Sequence, residues 1–185
     1  MKRFFYFLVL VVASMSFCGC NNEGELAVWN AGYTDGENQI YFNGIMYRLL
    51  TDNTVEVSPI SSYIYSITKT NYQSTVSIPP TYSFGASDKR TTIGIGDSAF
   101  CDCTKLISVV LPSTIQYVNK DAFNNCSALT TIVCKSVNPP TIDPTAFKGC
   151  ETDKITLYVA LESVDAYKQN DVWKTLNVKA YAVEE

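Results

Sequence analysis

A short segment occurs three times in this chain at a nearly constant spacing. Its copies are Ala99-Phe100-Cys101-Asp102-Cys103, Ala122-Phe123-Asn124-Asn125-Cys126 and Ala146-Phe147-Lys148-Gly149-Cys150. The phenylalanines are 23 and 24 residues apart. A fixed period of this length is typical of solenoids, in which each unit buries its apolar face only against its neighbours. The spacing therefore predicts a solenoid with about three units.

Each copy is followed by a stretch with the alternating pattern of a β-strand. Strands are predicted over residues 106–111, 129–134 and 155–159, and stacking of the units should pair them in one parallel sheet. Alternation turns one set of side chains inward and the other outward. The outward set is the candidate binding face and consists of Ser108, Val110, Thr131, Val133, Thr156 and Tyr158. The alternative is ordinary β-propensity on a solvated sheet.

The repeated phenylalanines and cysteines predict a structural ladder inside the stack. Its members, which should stack as an aromatic spine and as buried thiols, are Phe100, Phe123, Phe147, Cys103, Cys126 and Cys150. The positions equivalent to Cys101 in the other two units hold no cysteine, so Cys101 is the thiol expected to be exposed. A metal chelated by Cys101 and Cys103 is the competing hypothesis, which the absence of histidine disfavours.

The first 19 residues have the composition of a signal peptide. Lys2 and Arg3 supply the positive end, and residues 4–17 form an apolar run too short to span a bilayer comfortably. The run leads into Cys18-Gly19-Cys20, which is similar to the lipobox of bacterial lipoproteins. Cys20 is the predicted lipidation site because a small residue precedes it. An ordinary signal peptide with two incidental cysteines is the alternative, whereas a lipid at Cys20 would attach the protein to a membrane without a spanning helix.

Residues 20–38 are predicted to be a flexible tether, because they are rich in Asn, Gly, Glu and Asp. Residues 39–90 are predicted to form β-structure that begins with a hairpin around Asn43-Gly44, a dipeptide suited to two-residue turns. This region is expected to cover the open end of the array as an N-terminal cap. The alternative is a ligand platform built from its tyrosines, namely Tyr63, Tyr65, Tyr72 and Tyr82.

Residues 91–160 are assigned to the array and residues 161–185 to a C-terminal cap. Ser163 can begin a helix there, because serine is favoured at the residue before the first turn. Val164 and Tyr167 would lie on one face of that helix. Trp173 is expected to pack over the last repeat.

The repeat resembles a known family. The run Ile95-Gly96-Asp97-Ser98-Ala99-Phe100, the cysteine three residues later and the strand ending in Leu111-Pro112 are similar to the BspA-like leucine-rich repeat family of bacterial surface proteins. The resemblance implies a leucine-rich-repeat solenoid of short, β-rich α/β repeats, with an N-terminal β-hairpin cap and a helical C-terminal cap. It also implies secretion or surface display, and adhesion or other protein recognition rather than catalysis.

Charge and residue types exclude several functions. The chain has 14 basic residues, 18 acidic residues and no histidine, and loss of Lys2 and Arg3 would leave 12 basic residues and a net charge of −6. Because no basic face is clustered, no nucleic-acid partner is expected. The usual general base of serine and cysteine hydrolases is missing, and no pair of carboxylates stands out. We therefore predict no catalytic residue, no metal site and no cofactor.

These observations lead to one functional hypothesis and one alternative. The hypothesis is a non-catalytic, lipid-anchored recognition module, adhesin-like, which binds a protein of the host or of a neighbouring cell. Its expected location is the cell envelope, as an outer-membrane lipoprotein exposed at the surface. The alternative is a structural or glycan-binding accessory subunit that faces the periplasm.

Overall fold

The computed structural model describes the chain in seven segments. They cover residues 33–34, 38–42, 44–50, 53–60, 72, 74–83 and 89–181. The predicted signal peptide, its lipidation site Cys20 and almost all of the predicted tether lie outside these residues, as do Tyr63 and Tyr65. Within the described segments, no helix has the length and hydropathy that a membrane crossing requires.

The described segments fold into short strands that form two sheets. The strands are β1 (Tyr33–Thr34), β2 (Gln39–Phe42), β3 (Ile45–Leu49), β4 (Thr54–Val57), β5 (Ser74–Ser77), β6 (Thr81–Ser83), β7 (Lys89–Ile95), β8 (Leu106–Leu111), β9 (Tyr117–Val118), β10 (Thr131–Cys134), β11 (Thr141–Ile142), β12 (Thr156–Val159) and β13 (Asn177–Ala180). One sheet has five strands in the order β13-β12-β10-β8-β5. The other has eight strands, with β1-β2-β3-β4-β7-β9-β11 in one path and β6 beside β7.

All neighbouring strands of the five-stranded sheet are parallel. Val109 lies opposite Ile132, and Ile132 lies opposite Leu157, so equivalent positions of successive units face each other. These three side chains are fully buried. The predicted parallel sheet, in which each strand pairs with the same strand of the next unit, is confirmed.

The five-stranded sheet extends further than the predicted array. Its first strand, β5, lies in the region predicted as the N-terminal cap, and its last strand, β13, lies in the predicted C-terminal cap. Neither strand follows an Ala-Phe-x-x-Cys segment. Backbone pairing alone brings them into the sheet, because any strand with the correct alternation can continue a parallel ladder.

The eight-stranded sheet joins the N-terminal region to the repeats. Its strands β4, β7, β9 and β11 are parallel, whereas β1, β2, β3 and β6 pair in antiparallel fashion. The predicted hairpin is present as β2 and β3, with Phe42 opposite Ile45. Gly44 in its turn has a φ of +78°, a conformation that glycine accepts without strain. Asn43 lies outside the described residues.

The rings of the repeated phenylalanines stack in a column between the two sheets. The ring centroids of Phe100 and Phe123 are 5.1 Å apart and those of Phe123 and Phe147 are 5.4 Å apart, with nearly parallel planes. Tyr72 meets Phe100 edge to face at 4.6 Å, and Trp173 meets Phe147 in the same way at 5.8 Å. The column therefore has an aromatic residue of a different type at each end.

The Ala-Phe segments form tight turns that link the two sheets. In each turn a backbone N–H bonds to the carbonyl three residues earlier, as in the 3.0 Å bond from Cys101 to Ser98. The residue before each repeat cysteine has a positive φ: +58° at Asp102, +59° at Asn125 and +74° at Gly149. The side chains of Asp102 and Asn125 are also joined, because the Asn125 amide donates a 2.9 Å bond to the Asp102 carboxylate. A Cβ at Gly149 would collide with Oδ1 of Asn125.

We expect Gly149→Ala to lower the free energy of unfolding by about 1 to 2 kcal/mol, which is the cost of left-handed backbone for a residue with a Cβ. The collision with Asn125 adds to this cost. Urea denaturation would measure the loss. Lys148→Ala, at the exposed neighbouring position, is the matched control and should change stability by less than about 0.5 kcal/mol. Equal stability of the two variants would contradict the prediction.

The described chain ends in short helical segments and the last strand. A 3₁₀ turn (Leu161–Ser163) leads into helix α1 (Val164–Gln169), and a second 3₁₀ turn (Trp173–Thr175) precedes β13. The predicted helix near the C-terminus is confirmed. Ser163 precedes its first residue as predicted, but the Ser163 side chain makes no capping hydrogen bond. Tyr167 and Trp173 are fully buried.

Candidate recognition surface

The predicted outward side chains lie in two straight columns across the five-stranded sheet. In the first column, Ser108 lies opposite Thr131, and Thr131 lies opposite Thr156. All three are half-buried. The columns are straight because the register does not change from β8 to β12.

The second column runs parallel to the first, two residues further along each strand. Val110 lies opposite Val133, and Val133 lies opposite Tyr158. These side chains are also half-buried. The structure therefore brings all six predicted residues of the candidate binding face together on one side of one sheet.

The two columns continue onto strands β5 and β13, which lie outside the predicted array. Thr75 and Ser77 of β5 lie opposite Ser108 and Val110, and Asn177 and Lys179 of β13 lie opposite Thr156 and Tyr158. A signal for β5 was present, since Ile78-Pro79 repeats the Leu111-Pro112 that ends β8. We call the ten outward residues of both columns the outward face.

The outward face carries little charge. Among the residues of β5, β8, β10, β12 and β13, Lys179 alone is a charged side chain. The remaining positions on the face are hydroxyls, one amide, two valines and one tyrosine. Such a surface can make hydrogen bonds and apolar contacts, but it offers neither a nucleophile with a base nor a set of metal ligands.

The repeat cysteines lie beside the phenylalanine column. The Cys126 thiol donates to the backbone carbonyl of Phe100 at 3.0 Å, and the Cys150 thiol donates to that of Phe123 at 3.0 Å. Cys103 and Cys126 are buried, and Cys150 is half-buried. Burial raises the pKa of the Cys126 and Cys150 thiols. They are therefore protonated at neutral pH and are not activated nucleophiles.

Cys101, the thiol predicted to be exposed, is half-buried. Its thiol donates to the Asp102 carboxylate at 3.6 Å, which keeps it close to the turn. Burial and the charge of Asp102 raise its thiol pKa. In the described part of the chain, no group of three potential Cys, Asp, Glu or His ligands could hold a metal ion.

Tyr72 and Tyr82, the two described tyrosines of the alternative ligand platform, do not form a binding surface. Tyr72 and Tyr82 are buried, with 3% and 5% of their surfaces exposed. The Tyr72 hydroxyl accepts from the Met46 N–H at 2.9 Å and donates to the Ser58 carbonyl at 3.1 Å. Tyr72 therefore packs in the core against the aromatic column, and its ring offers no surface to a ligand.

The eight-stranded sheet also carries a row of polar residues that was not predictable from the sequence. Arg48, Glu56, Gly94 and Tyr117 lie side by side on β3, β4, β7 and β9. The buried Glu56 carboxylate forms an ion pair with Arg48 and accepts a 2.8 Å bond from the Tyr117 hydroxyl. The Tyr117 ring reaches across β7 because Gly94 has no Cβ to block it. Burial and the bond to Glu56 raise the pKa of Tyr117, so its hydroxyl remains a donor.

Comparison with known proteins identifies the repeat. A family model described as "BspA type Leucine rich repeat region" matches residues 93–179 in six copies, whereas the spacing of the Ala-Phe segments predicts about three units. No curated protein matches the chain.

Three solved structures are similar to parts of the chain. A leucine-rich cell surface protein from Faecalibacterium prausnitzii has 24% identity and a TM-score of 0.45, over 77% of this chain and 36% of that one. A leucine-rich repeat protein from Bacteroides ovatus has 23% identity and a TM-score of 0.44, over 74% and 39%. One from Bacteroides capillosus has 14% identity and a TM-score of 0.47, over 66% and 99%. The chain thus spans well under half the length of the first two relatives.

Proposed function

We propose that this chain, whose residues 93–179 match the BspA-type leucine-rich repeat model, is a non-catalytic recognition module displayed at the bacterial cell surface. In this proposal the chain binds a protein through the outward face. The observation that carries it is the unbroken register from β8 to β12, which sets hydroxyl and valine side chains in two straight columns. A flat, almost uncharged surface of this kind suits contact with another protein surface.

The proposal includes a solenoid architecture with closed ends and a lipid anchor. The β2–β3 hairpin with its neighbouring strands would form the N-terminal cap, and residues 161–181 would form the C-terminal cap. The edge-on contacts of Tyr72 and Trp173 support this arrangement, because each ends the aromatic column. A lipid on Cys20 would hold the domain at the outer membrane, with the preceding 19 residues removed.

The size of the outward face limits the kind of interface it can make alone. Five strands about 4.8 Å apart, each contributing about 13 Å of length, give a surface of about 250 Å². A stable interface needs about 800 Å² on each partner, so the flanking loops must take part. Val137 and Leu161 are 57% and 74% exposed and follow β10 and β12 at the same end of the sheet. These side chains extend the contact surface in the proposed complex.

Site-specific photo-crosslinking on intact cells tests this proposal. A benzoyl-phenylalanine at Val133, in the centre of the outward face, should give covalent adducts with a protein of a co-cultured host or neighbouring cell. The matched control carries the same group at Lys148, which is exposed in a turn between the sheets. Adducts confined to Val133 are expected. Equal adducts at both positions, or none at either, would contradict binding through this face.

Location is tested in the same cells. Protease added to intact cells should remove the signal of an antibody against residues 40–185 without lysing them. Protection of the domain until lysis would favour the alternative, an accessory subunit that faces the periplasm and binds a bacterial partner or a glycan. Adhesion to other cells would then be ruled out.

A further inference from the structure

A shallow groove lies where strands β9 and β11 of the eight-stranded sheet begin. Its volume is about 410 Å³. One wall is the loop 113–116 after β8, the other is the loop 136–140 after β10, and the floor is the middle of β7. Pockets for small molecules start at about 300 Å³, so the groove can hold a ligand of one to two sugar rings in size.

The lining of the groove is polar but uncharged. Six of its ten residues carry a hydroxyl or an amide, and none carries a charge, although the chain has 32 charged residues in total. A charged ligand would lose its water here without gaining a counterion, which disfavours it. The lining therefore selects for a neutral ligand that has many hydrogen-bonding groups.

Several of these polar groups are available to a ligand. Within the described residues, the hydroxyls of Thr91 and Ser113 and the side-chain amides of Gln116 and Asn138 make no hydrogen bond. Ser113, Gln116 and Asn138 are exposed. An amide offers a donor and an acceptor, and a sugar hydroxyl needs both. Beside them, the half-buried Ile93 and Pro139 supply apolar surface for the C–H face of a sugar ring.

Both walls of the groove are fixed by hydrogen bonds to the core. Thr114 Oγ1 donates to the Thr92 carbonyl at 2.6 Å and ties down the first wall. In the second wall, the Ser136 carbonyl accepts from the Tyr167 hydroxyl at 2.9 Å, and the Pro140 carbonyl accepts from Trp173 Nε1 at 2.9 Å. A fixed site loses little conformational freedom when a ligand binds, which favours affinity for a small molecule.

An extended peptide fits the groove less well than a sugar. Peptides that bind sheets usually add a strand to an open edge. The floor strand β7 is paired with β4 and β9, and β9 is paired with β7 and β11, so neither has an open edge. From the neutral lining, the available amides and the fixed walls, we infer that the groove binds a neutral saccharide unit. This inference does not depend on the protein-binding role of the outward face.

Nuclear magnetic resonance titration of the purified full chain tests the inference. The probes are neutral trisaccharides of glucose, galactose, mannose and N-acetylglucosamine, with a sialic-acid trisaccharide and an uncharged tripeptide as comparisons, all at millimolar concentrations. At least one neutral trisaccharide should shift the amide signals of Gln116 and Asn138. The double variant Gln116→Ala/Asn138→Ala should bind it about tenfold more weakly, because two hydrogen bonds are lost.

Gln169→Ala provides the matched control, since it removes an exposed amide at the end of helix α1, outside both the groove lining and the outward face. It should bind the trisaccharide as tightly as the wild type. The inference would be overturned if no neutral trisaccharide moved these signals, or if the double variant bound as tightly as the control. Preferential binding of the acidic sugar or of the tripeptide would also overturn it.

Discussion

Trp173→Ala is expected to lower the free energy of unfolding by about 3 to 5 kcal/mol, the usual range for removing a buried aromatic side chain. Trp173 is fully buried and meets both Phe147 and Tyr167 edge to face, at 5.8 and 5.9 Å. Its indole N–H also holds the Pro140 carbonyl at 2.9 Å. Removing the indole would therefore leave a cavity at the end of the aromatic column and free the loop before β11. Thermal and urea denaturation would measure the loss.

Two further variants separate the contributions of the Trp173 ring. Trp173→Phe keeps an aromatic ring but loses the bond to Pro140, so a smaller loss is expected. Lys174→Ala, at the neighbouring exposed position, removes only a surface ion pair with Asp171 and should be nearly neutral. A Trp173→Ala protein that unfolds at the wild-type temperature would show that the column needs no aromatic residue at this end.

Arg48→Ala is expected to be the other strongly destabilising change, with a loss of about 3 kcal/mol. The Arg48 side chain is 49% exposed, whereas that of Glu56 is 2% exposed. Removing the arginine therefore leaves a carboxylate buried in the eight-stranded sheet, with the Tyr117 hydroxyl as a neutral donor. Removing Glu56 instead leaves an arginine that can reach water, so Glu56→Gln should cost less. Urea denaturation of the two single variants would test this order.

The double variant Arg48→Ala/Glu56→Gln provides the decisive comparison. It removes both charges and retains an acceptor for Tyr117. It should therefore be more stable than Arg48→Ala alone, because no charge remains buried. If the double variant were the less stable of the two, the loss in Arg48→Ala would come from the packing of the arginine stem and not from an unpaired carboxylate.

The features that were predictable from the sequence depend on spacing within the repeat. The interval between Phe100, Phe123 and Phe147 was sufficient to place them in one stack, because equal chain lengths return the backbone to equivalent positions. Alternation within each strand then determined which side chains point outward. This is why Ser108 and Thr131 were predicted on the same face from local pattern alone.

The features that were not predictable involve residues that do not repeat. Tyr72 ends the column in place of a phenylalanine, and β5 and β13 lack the Ala-Phe-x-x-Cys segment, so the period does not identify them. The bond between Glu56 and Tyr117 joins residues 61 positions apart. Similarly, the groove is formed by loops of successive units, none of which has a distinctive sequence. Such arrangements arise only from tertiary packing.

The thiols of the repeat cysteines affect the lifetime of the folded protein. Those of Cys126 and Cys150 donate to backbone carbonyls of the phenylalanine column. In the extracytoplasmic location proposed above, oxidants convert accessible thiols to disulfides. Unfolding would expose several thiols at once, and random pairing among them would prevent the column from forming again. Loss of structure would then be irreversible. The lifetime of the protein would be set by the rate of its first unfolding event, and not by the equilibrium between folded and unfolded chains.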